Sequence, residues 1–384
     1  MSQTAAPTDP KAATGKFVDG LSADTPLQEA LPAIVRNRAA TVLQLIRPVL
    51  HDGDSDNIEG VKDIEHVHQL RVATRRFAAA MTLVEMLVPE TPHEKLDREI
   101  KSLRRLGGKA RDLDVQIRFL ERLLLNPEQT QDVSQILQQF QLRRSAVQDK
   151  LERRLPLNEL RLDRRVRKYL EQLQADLESR PALRESQPAD PASLPEVPLA
   201  IVTSHPLPPA PPVGEADHRT FQSCIVPAIQ NCLSALWLAA PAADADFSLE
   251  KLSAPTLHQV RIVCKQFRYL AELGEPVLPQ SFWDNLYPQL QQIQDALGEV
   301  QDSVAAVEGL TETCPAFEDD DIDGEQYAHG LMAVLKVYSG QAEAARHELA
   351  KLWPPFATTG FREPLTHMLD QLSAAESSQS ASEN

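Results

Sequence analysis

His68, Arg71 and Arg75 in the stretch HQLRVATRRF stand three and four residues apart, and the same spacing returns 190 residues later as His258, Arg261 and Lys265 in HQVRIVCKQFRYL. On a helix turning about 100° per residue, His258, Arg261, Lys265 and Arg268 fall within an arc of roughly 80°, one stripe of positive or protonatable groups. Val260, Val263, Phe267, Leu270 and Ala271 lie on the opposite side, with Ile262 as the exception. In the first copy Leu70, Ala73, Phe77, Met81 and Val84 oppose His68, Arg71 and Arg75, and Arg76 widens the basic face. Each helix is expected to bury its apolar face and to hold a column of bases away from it.

Like charges one turn apart destabilise a helix by about 0.2–0.5 kcal/mol per pair unless something neutralises them. Neither copy carries an acid at i+3 or i+4 beside these bases, Glu85 and Glu272 coming only near the helix ends. An anion from outside would do it. Arginine offers a planar fork that matches phosphate oxygens, lysine adds a compact charge, and histidine becomes a donor when a phosphate raises its basicity. Two more basic clusters lie in the first half of the chain: KSLRRLGGKARD, with Lys101, Arg104, Arg105, Lys109 and Arg111, and RLDRRVRKY, with Arg161, Arg164, Arg165, Arg167 and Lys168. At least some of these groups are expected to converge on one groove.

The elements that must position these groups read as helices throughout. PLQEALPAIVRNRAATVLQLIRPVL places Leu27, Leu31, Ile34, Val35, Leu43 and Ile46 at helical spacing, and similar stripes follow at 64–88, 93–124, 130–155 and 157–178. The segment 181–212 holds ten prolines and can neither propagate a helix nor donate into a sheet. Helical patterning resumes near Arg219 and continues at 256–273, 282–309, 325–350 and 360–375. The chain therefore divides into a disordered start (1–24), a first helical half (25–180), a Pro-rich linker (181–217), a second helical half (218–375) with an acidic loop at 312–326, and a frayed tail (376–384).

The two halves match beyond the basic helix. One offset of 190 takes Arg71 to Arg261, Arg75 to Lys265, Phe77 to Phe267, Gly108 to Gly298, Arg111 to Gln301 and Asp112 to Asp302. A single offset held over more than forty residues indicates a duplicated helical unit packed about a pseudo-two-fold axis. Gln301 in place of an arginine predicts that the second half holds phosphate more weakly.

Charge is segregated along the chain. The 384 residues carry a net charge of -16, yet residues 61–170 hold 23 Lys+Arg against 16 Asp+Glu. The whole argues against a general nucleic-acid or anionic-membrane binder, and no window is apolar and long enough to span a bilayer. Cys224, Cys232, Cys264 and Cys314 show no metal or redox spacing and read as reduced thiols of a cytoplasmic protein. No cofactor is expected. Asp63, Glu65, His66 and His68 crowd together, but His66 and His68 are two apart and diverge on a helix, which disfavours a metal site. The acidic run at 318–326 lacks the alternation of a calcium loop. No phosphate loop, nucleophile elbow or catalytic carboxylate pair appears, so the chain reads as a binder, not an enzyme. A nucleic-acid-binding helical protein is the first alternative, although only 5% of residues are aromatic and so available for base stacking. A metal-dependent phosphohydrolase is the second.

At VHQLRVATRRF, LHQVRIVCKQFRYL, LGGKARDLDV and LGEVQDSVAAV the sequence resembles the CHAD family, over about residues 25–355. The resemblance implies an all-α fold of two duplicated four-helix units around a basic central cavity that takes inorganic polyphosphate, often at polyphosphate granules. Carried over by position, it implicates His68, Arg71, Arg75 and Arg76 in the first half and His258, Arg261, Lys265 and Arg268 in the second. Arg104, Arg105, Lys109 and Arg111 join them from the first LGGKARD cluster. Gln266 and Gln301 depart from the pattern.

Overall fold

The computed structural model describes residues 15–51, 61–123, 130–179, 219–240, 253–313 and 324–382. The Pro-rich segment 181–217, the core of the acidic loop and Cys314 lie outside these residues. The first half comprises α1 (Leu27–His51), α2 (Val61–Leu87), α3 (Glu94–Leu123) and α4 (Thr130–Glu178). The second comprises α5 (Phe221–Ala239), α6 (Ala254–Leu273), α7 (Tyr287–Thr313), α8 (Gly324–Phe356) and α9 (Arg362–Ser382), with a π-helical turn at Phe282–Leu286 leading into α7. Among the described residues there is no strand, only a bridge between Pro26 and Thr220 that sets the starts of α1 and α5 side by side.

In the first half α1 packs on α2 and α4, α2 on α3, and α3 on α4, closing a four-helix ring. Its core takes Phe77, Met81 and Val84 of α2 against Leu31, Val35 and Val42 of α1 and Leu155, Leu162 and Leu173 of α4. The second half adds α9 against α5, a fifth helix beyond the four-helix unit that the resemblance implies. Ser253 caps α6 by accepting from the Thr256 N–H, and Phe267, Val263 and Ala271 carry the helix into the second core.

Three expectations about the chain's course are corrected. The stripes at 130–155 and 157–178 are one helix, α4, which passes through Pro156. Proline removes a donor and crowds the preceding turn, but Leu151, Leu155, Asn158, Leu162 and Val166 stay buried on one face across it, and packing outweighs local propensity. The start is not disordered throughout 1–24: residues 15–24 pack, with Val18 buried, the Phe17 ring against Trp283, and the Lys16 ammonium 4.2 Å from the Tyr287 ring centroid. Buried Arg38 donates to the carbonyls of Gly15 and Lys16 and so fastens this segment. At the other end, α9 continues through Ser382, where a frayed tail from 376 is expected from composition.

The halves meet at three places. α4 packs on α8, where Phe119 of α3 stacks on Tyr338 with ring centroids 3.7 Å apart in a third apolar cluster. α1 touches α5. Between them, α2 packs on α6, and there Glu272 is fully buried. Arg76 Nε donates to Glu272 Oε2 at 2.7 Å, while Arg268 Nε at 3.1 Å and the Tyr287 hydroxyl at 2.7 Å donate to Oε1. Glu272 is thus the i+4 partner of Arg268, contrary to the expectation that these bases lack one. Burial alone would raise its carboxyl, but the Arg76 and Arg268 guanidiniums and the Tyr287 hydroxyl hold it below the ordinary range.

Glu272→Gln leaves two buried guanidiniums without their counter-charge and is expected to destabilise the fold by about 3–5 kcal/mol in urea titrations. Glu272→Leu combined with Arg76→Met removes both members of the closest pair and should recover most of that loss. Because the folded carboxyl is depressed, the stabilisation is present above its ordinary titration and fades as pH falls through the folded value, so the wild-type and Glu272→Gln curves should converge in acid.

Candidate functional site

The face of α2 that carries His68, Arg71 and Arg75 is held against α3 at a glycine pair. A side chain at Gly107 would bring its Cβ within 3.2 Å of Arg71 Cγ, so the glycine permits the close approach. Arg71 Nη1 then donates to the Gly108 carbonyl at 2.7 Å and to Asp112 Oδ1 at 3.1 Å. In the second half Arg261 Nη2 donates to Asp302 Oδ1 at 3.0 Å, the same ion pair at positions 190 residues on. His258 Nδ1 donates to Gln301 Oε1 at 3.1 Å, so the amide that replaces an arginine positions the histidine instead. Both arginine side chains are largely buried, at 15% and 18% exposed, while their carboxylates are 72% and 55% exposed. The acids orient the guanidiniums without covering them.

α2 packs on α6, and the two columns lie within electrostatic reach of each other. Burial, then the positive fields of Arg261, Arg75 and Arg71, outweigh Asp302 and press the Lys265 ammonium down to about 7. Arg71 and Arg75 come from α2 and Arg261 and Lys265 from α6, so bases of both halves share one desolvated space. His68 is likewise lowered, by burial first and then by Arg111, Arg71 and Arg75, with Glu65 opposing. Arg104 feels Arg75, and Arg111 feels Arg118, so one face of α3 completes the wall. Arg118, seven residues after Arg111 and on the same stripe, is a member that motif reading passed over.

Two donors in this space lack partners. Arg111 Nη1 and Arg261 Nε are buried and make no hydrogen bond among the described residues. Arg75 and Lys265 have no carboxylate within ion-pair distance among the described residues. Chemically the groove is a lined row of desolvated cations with open donors, suited to an anion of repeated charge.

Not every expected residue is here. Arg76, 7% exposed, and Arg268, which also donates to Gln294 Oε1 at 2.9 Å, are engaged with Glu272 beneath the groove. Arg105 and Lys109 face away, into a cleft of about 850 Å³ between α3 and α4, while His68, Arg71 and Arg75 do not line it. The cleft is therefore separate from the groove. The side chain of Asp63 lies outside the described residues, and among those described no cluster of three or more His, Cys, Asp or Glu stands together to hold a metal ion. Cys224, Cys232 and Cys264 are free thiols, and burial pushes Cys232 up to about 12. No described helix is long and apolar enough to cross a membrane.

Among solved structures, the crystal structure of the CHAD domain from the plant Ricinus communis is similar at a TM-score of 0.59 and 19% identity, covering 86% of this chain and 94% of that one. PptA from Streptomyces chartreusis is similar at a TM-score of 0.53 and 16% identity, covering 86% and 99%. At these identities the likeness establishes the fold. No curated protein matches the chain. The family model of the CHAD domain matches residues 54–311, about two thirds of the sequence and nearly all of both basic helices and their partners, and on that match the chain belongs to the CHAD domain family.

Proposed function

We propose that the groove between α2, α3 and α6 binds inorganic polyphosphate, and that the chain is a polyphosphate holder without catalytic activity. The CHAD family is linked in general to polyphosphate binding. The observation that carries the reading for this chain is the meeting of Arg71, Arg75, Arg261 and Lys265 in one space, beside the open donors of Arg111 and Arg261. A flexible chain of phosphates offers one charge and several acceptors per unit along such a row. In the cell the protein stands where the polymer accumulates, in cytoplasmic granules.

Replacing Arg71, Arg75, Arg261 and Lys265 together by Glu is expected to abolish retention on immobilised polyphosphate, with helicity kept as seen by circular dichroism. The milder pair Arg75→Gln and Lys265→Gln, which leaves both Arg–Asp pairs in place, should weaken binding at least tenfold. Wild-type affinity should fall linearly on a log–log plot against salt, because each neutralised phosphate releases counterions. Undiminished binding by the folded fourfold variant would sink the assignment, and a single-stranded oligonucleotide that competes as well as polyphosphate would replace the ligand.

Lys265 supplies a pH dependence. With its ammonium lowered to about 7 in the free protein, the lysine is largely neutral at about pH 8, and a bound polyanion restores its proton. Binding therefore takes up a proton above about pH 7, and affinity should decline between about pH 7 and 9 while changing little through this group below that range. Calorimetry in two buffers of different ionisation enthalpy reads the uptake, and Lys265→Arg should remove it. Long chains keep titration of the terminal phosphates negligible.

A further inference from the structure

The cleft between α3 and α4 is lined by Arg98, Lys101, Arg105 and Lys109 of α3 and by Lys150 and Arg154 of α4. The α3 cations recur every three or four residues and so share one stripe, distinct from the stripe of Arg104 and Arg111 seven apart. α4 runs antiparallel to α3 here, since Asn158 bonds Ser102 and Arg144 bonds Asp114. That register sets Arg154 opposite Arg105 and Lys150 opposite Lys109. The acids of the lining lie elsewhere: Glu94 and Asp97 in the first turn of α3, and Glu85 near the end of α2. Arg105, Lys109, Lys150 and Arg154 are exposed and form no ion pair among the described residues.

This cluster is not a by-product of the duplication. The 190-residue offset takes Arg105 to Asp295 and Lys109 to Glu299, so the equivalent stripe of α7 is acidic. Arg104 stands on α3 between the two spaces, next in sequence to Arg105 of the cleft and within the electrostatic reach of Arg75 of the groove. α3 alone separates the two, and a helix with its side chains is about 10–12 Å across.

We propose that the α3–α4 cleft is a second polyphosphate site, occupied by the continuation of a chain already seated in the groove and led over α3 by Arg104. The proposal rests on the groove reading and extends it to chain length. A short oligophosphate fits the groove alone, whereas a long polymer engages both sites at once. The second engagement is intramolecular and multiplies affinity, for tethered sites by about 10²–10⁴.

The test compares tripolyphosphate with a polymer of about one hundred phosphates on three proteins: wild type, the cleft variant Arg105→Gln/Lys109→Gln/Lys150→Gln/Arg154→Gln, and the groove variant Arg75→Gln/Lys265→Gln. Exposed and unpaired, the four cleft side chains can be changed without loss of fold, which circular dichroism checks. The cleft variant is expected to bind tripolyphosphate as wild type does while losing about 100-fold in affinity for the long polymer and some of its salt dependence. The groove variant should bind both ligands at least tenfold more weakly. Unchanged long-polymer affinity in the cleft variant overturns the second site and leaves the groove reading standing. Loss of tripolyphosphate from the cleft variant alone, with the groove variant unaffected, overturns both, because the cleft would then be the primary site.

Discussion

Repulsion between the two basic columns is the constraint that the rest of the fold has to meet. Two unit charges about 6 Å apart in a medium of effective dielectric about 20 repel by about 3 kcal/mol, and Lys265 of α6 lies in the repulsive field of Arg71 and Arg75 of α2. The two basic columns cannot hold that interface together by themselves. It is closed from below by the buried carboxylate of Glu272, shared by Arg76 of one half and Arg268 of the other. It is closed at a distance by the apolar cluster of α3, α4, α7 and α8, and by the bridge that joins the starts of α1 and α5. The packed segment at residues 15–18, tied down by Arg38 and resting on Trp283 and Tyr287, adds a further link between the halves.

An unneutralised row of cations held by a rigid frame is an anion site whose geometry is set before the ligand arrives. Burial and the neighbouring cations together lower the Lys265 ammonium and the His68 imidazole, and among the described residues the buried donors of Arg111 and Arg261 go unpaired. A polyanion relieves all three at once. The carboxylates of Asp112 and Asp302 do not compete, since they lie toward solvent and hold one edge of each guanidinium while leaving other edges free. This division between an acid that orients a base and a ligand that neutralises it is how a charged site stays open without collapsing on its own counter-ions.

Much of this was legible in the sequence because it depends on local periodicity. The buried and basic faces of α2 and α6 follow from spacing alone, and Leu70, Ala73, Phe77, Val260, Val263 and Phe267 are buried as that phase demands. What could not be read depends on partners distant in the chain. Arg76 lies on the basic side of its own helix, and only the 196-residue contact with Glu272 takes it out of the groove. Arg268 differs: its partner stands four residues on, where helical spacing alone could have found it. In the LGGKARD cluster, Arg104 and Arg105 are adjacent in sequence but about 100° apart around α3, so neighbouring arginines serve different spaces. Pro156 misled for the opposite reason, as a strong local signal overridden by the apolar face that continues across it.

The halves, alike in α2 and α6, diverge in the helices behind them. Arg104, Arg105, Lys109 and Arg111 of α3 correspond by the same offset to Gln294, Asp295, Glu299 and Gln301 of α7. Gln294 has a structural use, bonding both Arg268 and the Cys264 carbonyl, and Gln301 positions His258. The second half carries its inner column beside a helix of neutral and acidic groups, of which Gln294 and Gln301 brace it. The field of the groove is therefore lopsided, stronger toward α3 than toward α7. On the reading proposed above, an anionic chain too long for the groove would have a favourable exit over α3 and an unfavourable one over α7, so that charge in the second half would direct the polymer as much as charge in the first half attracts it.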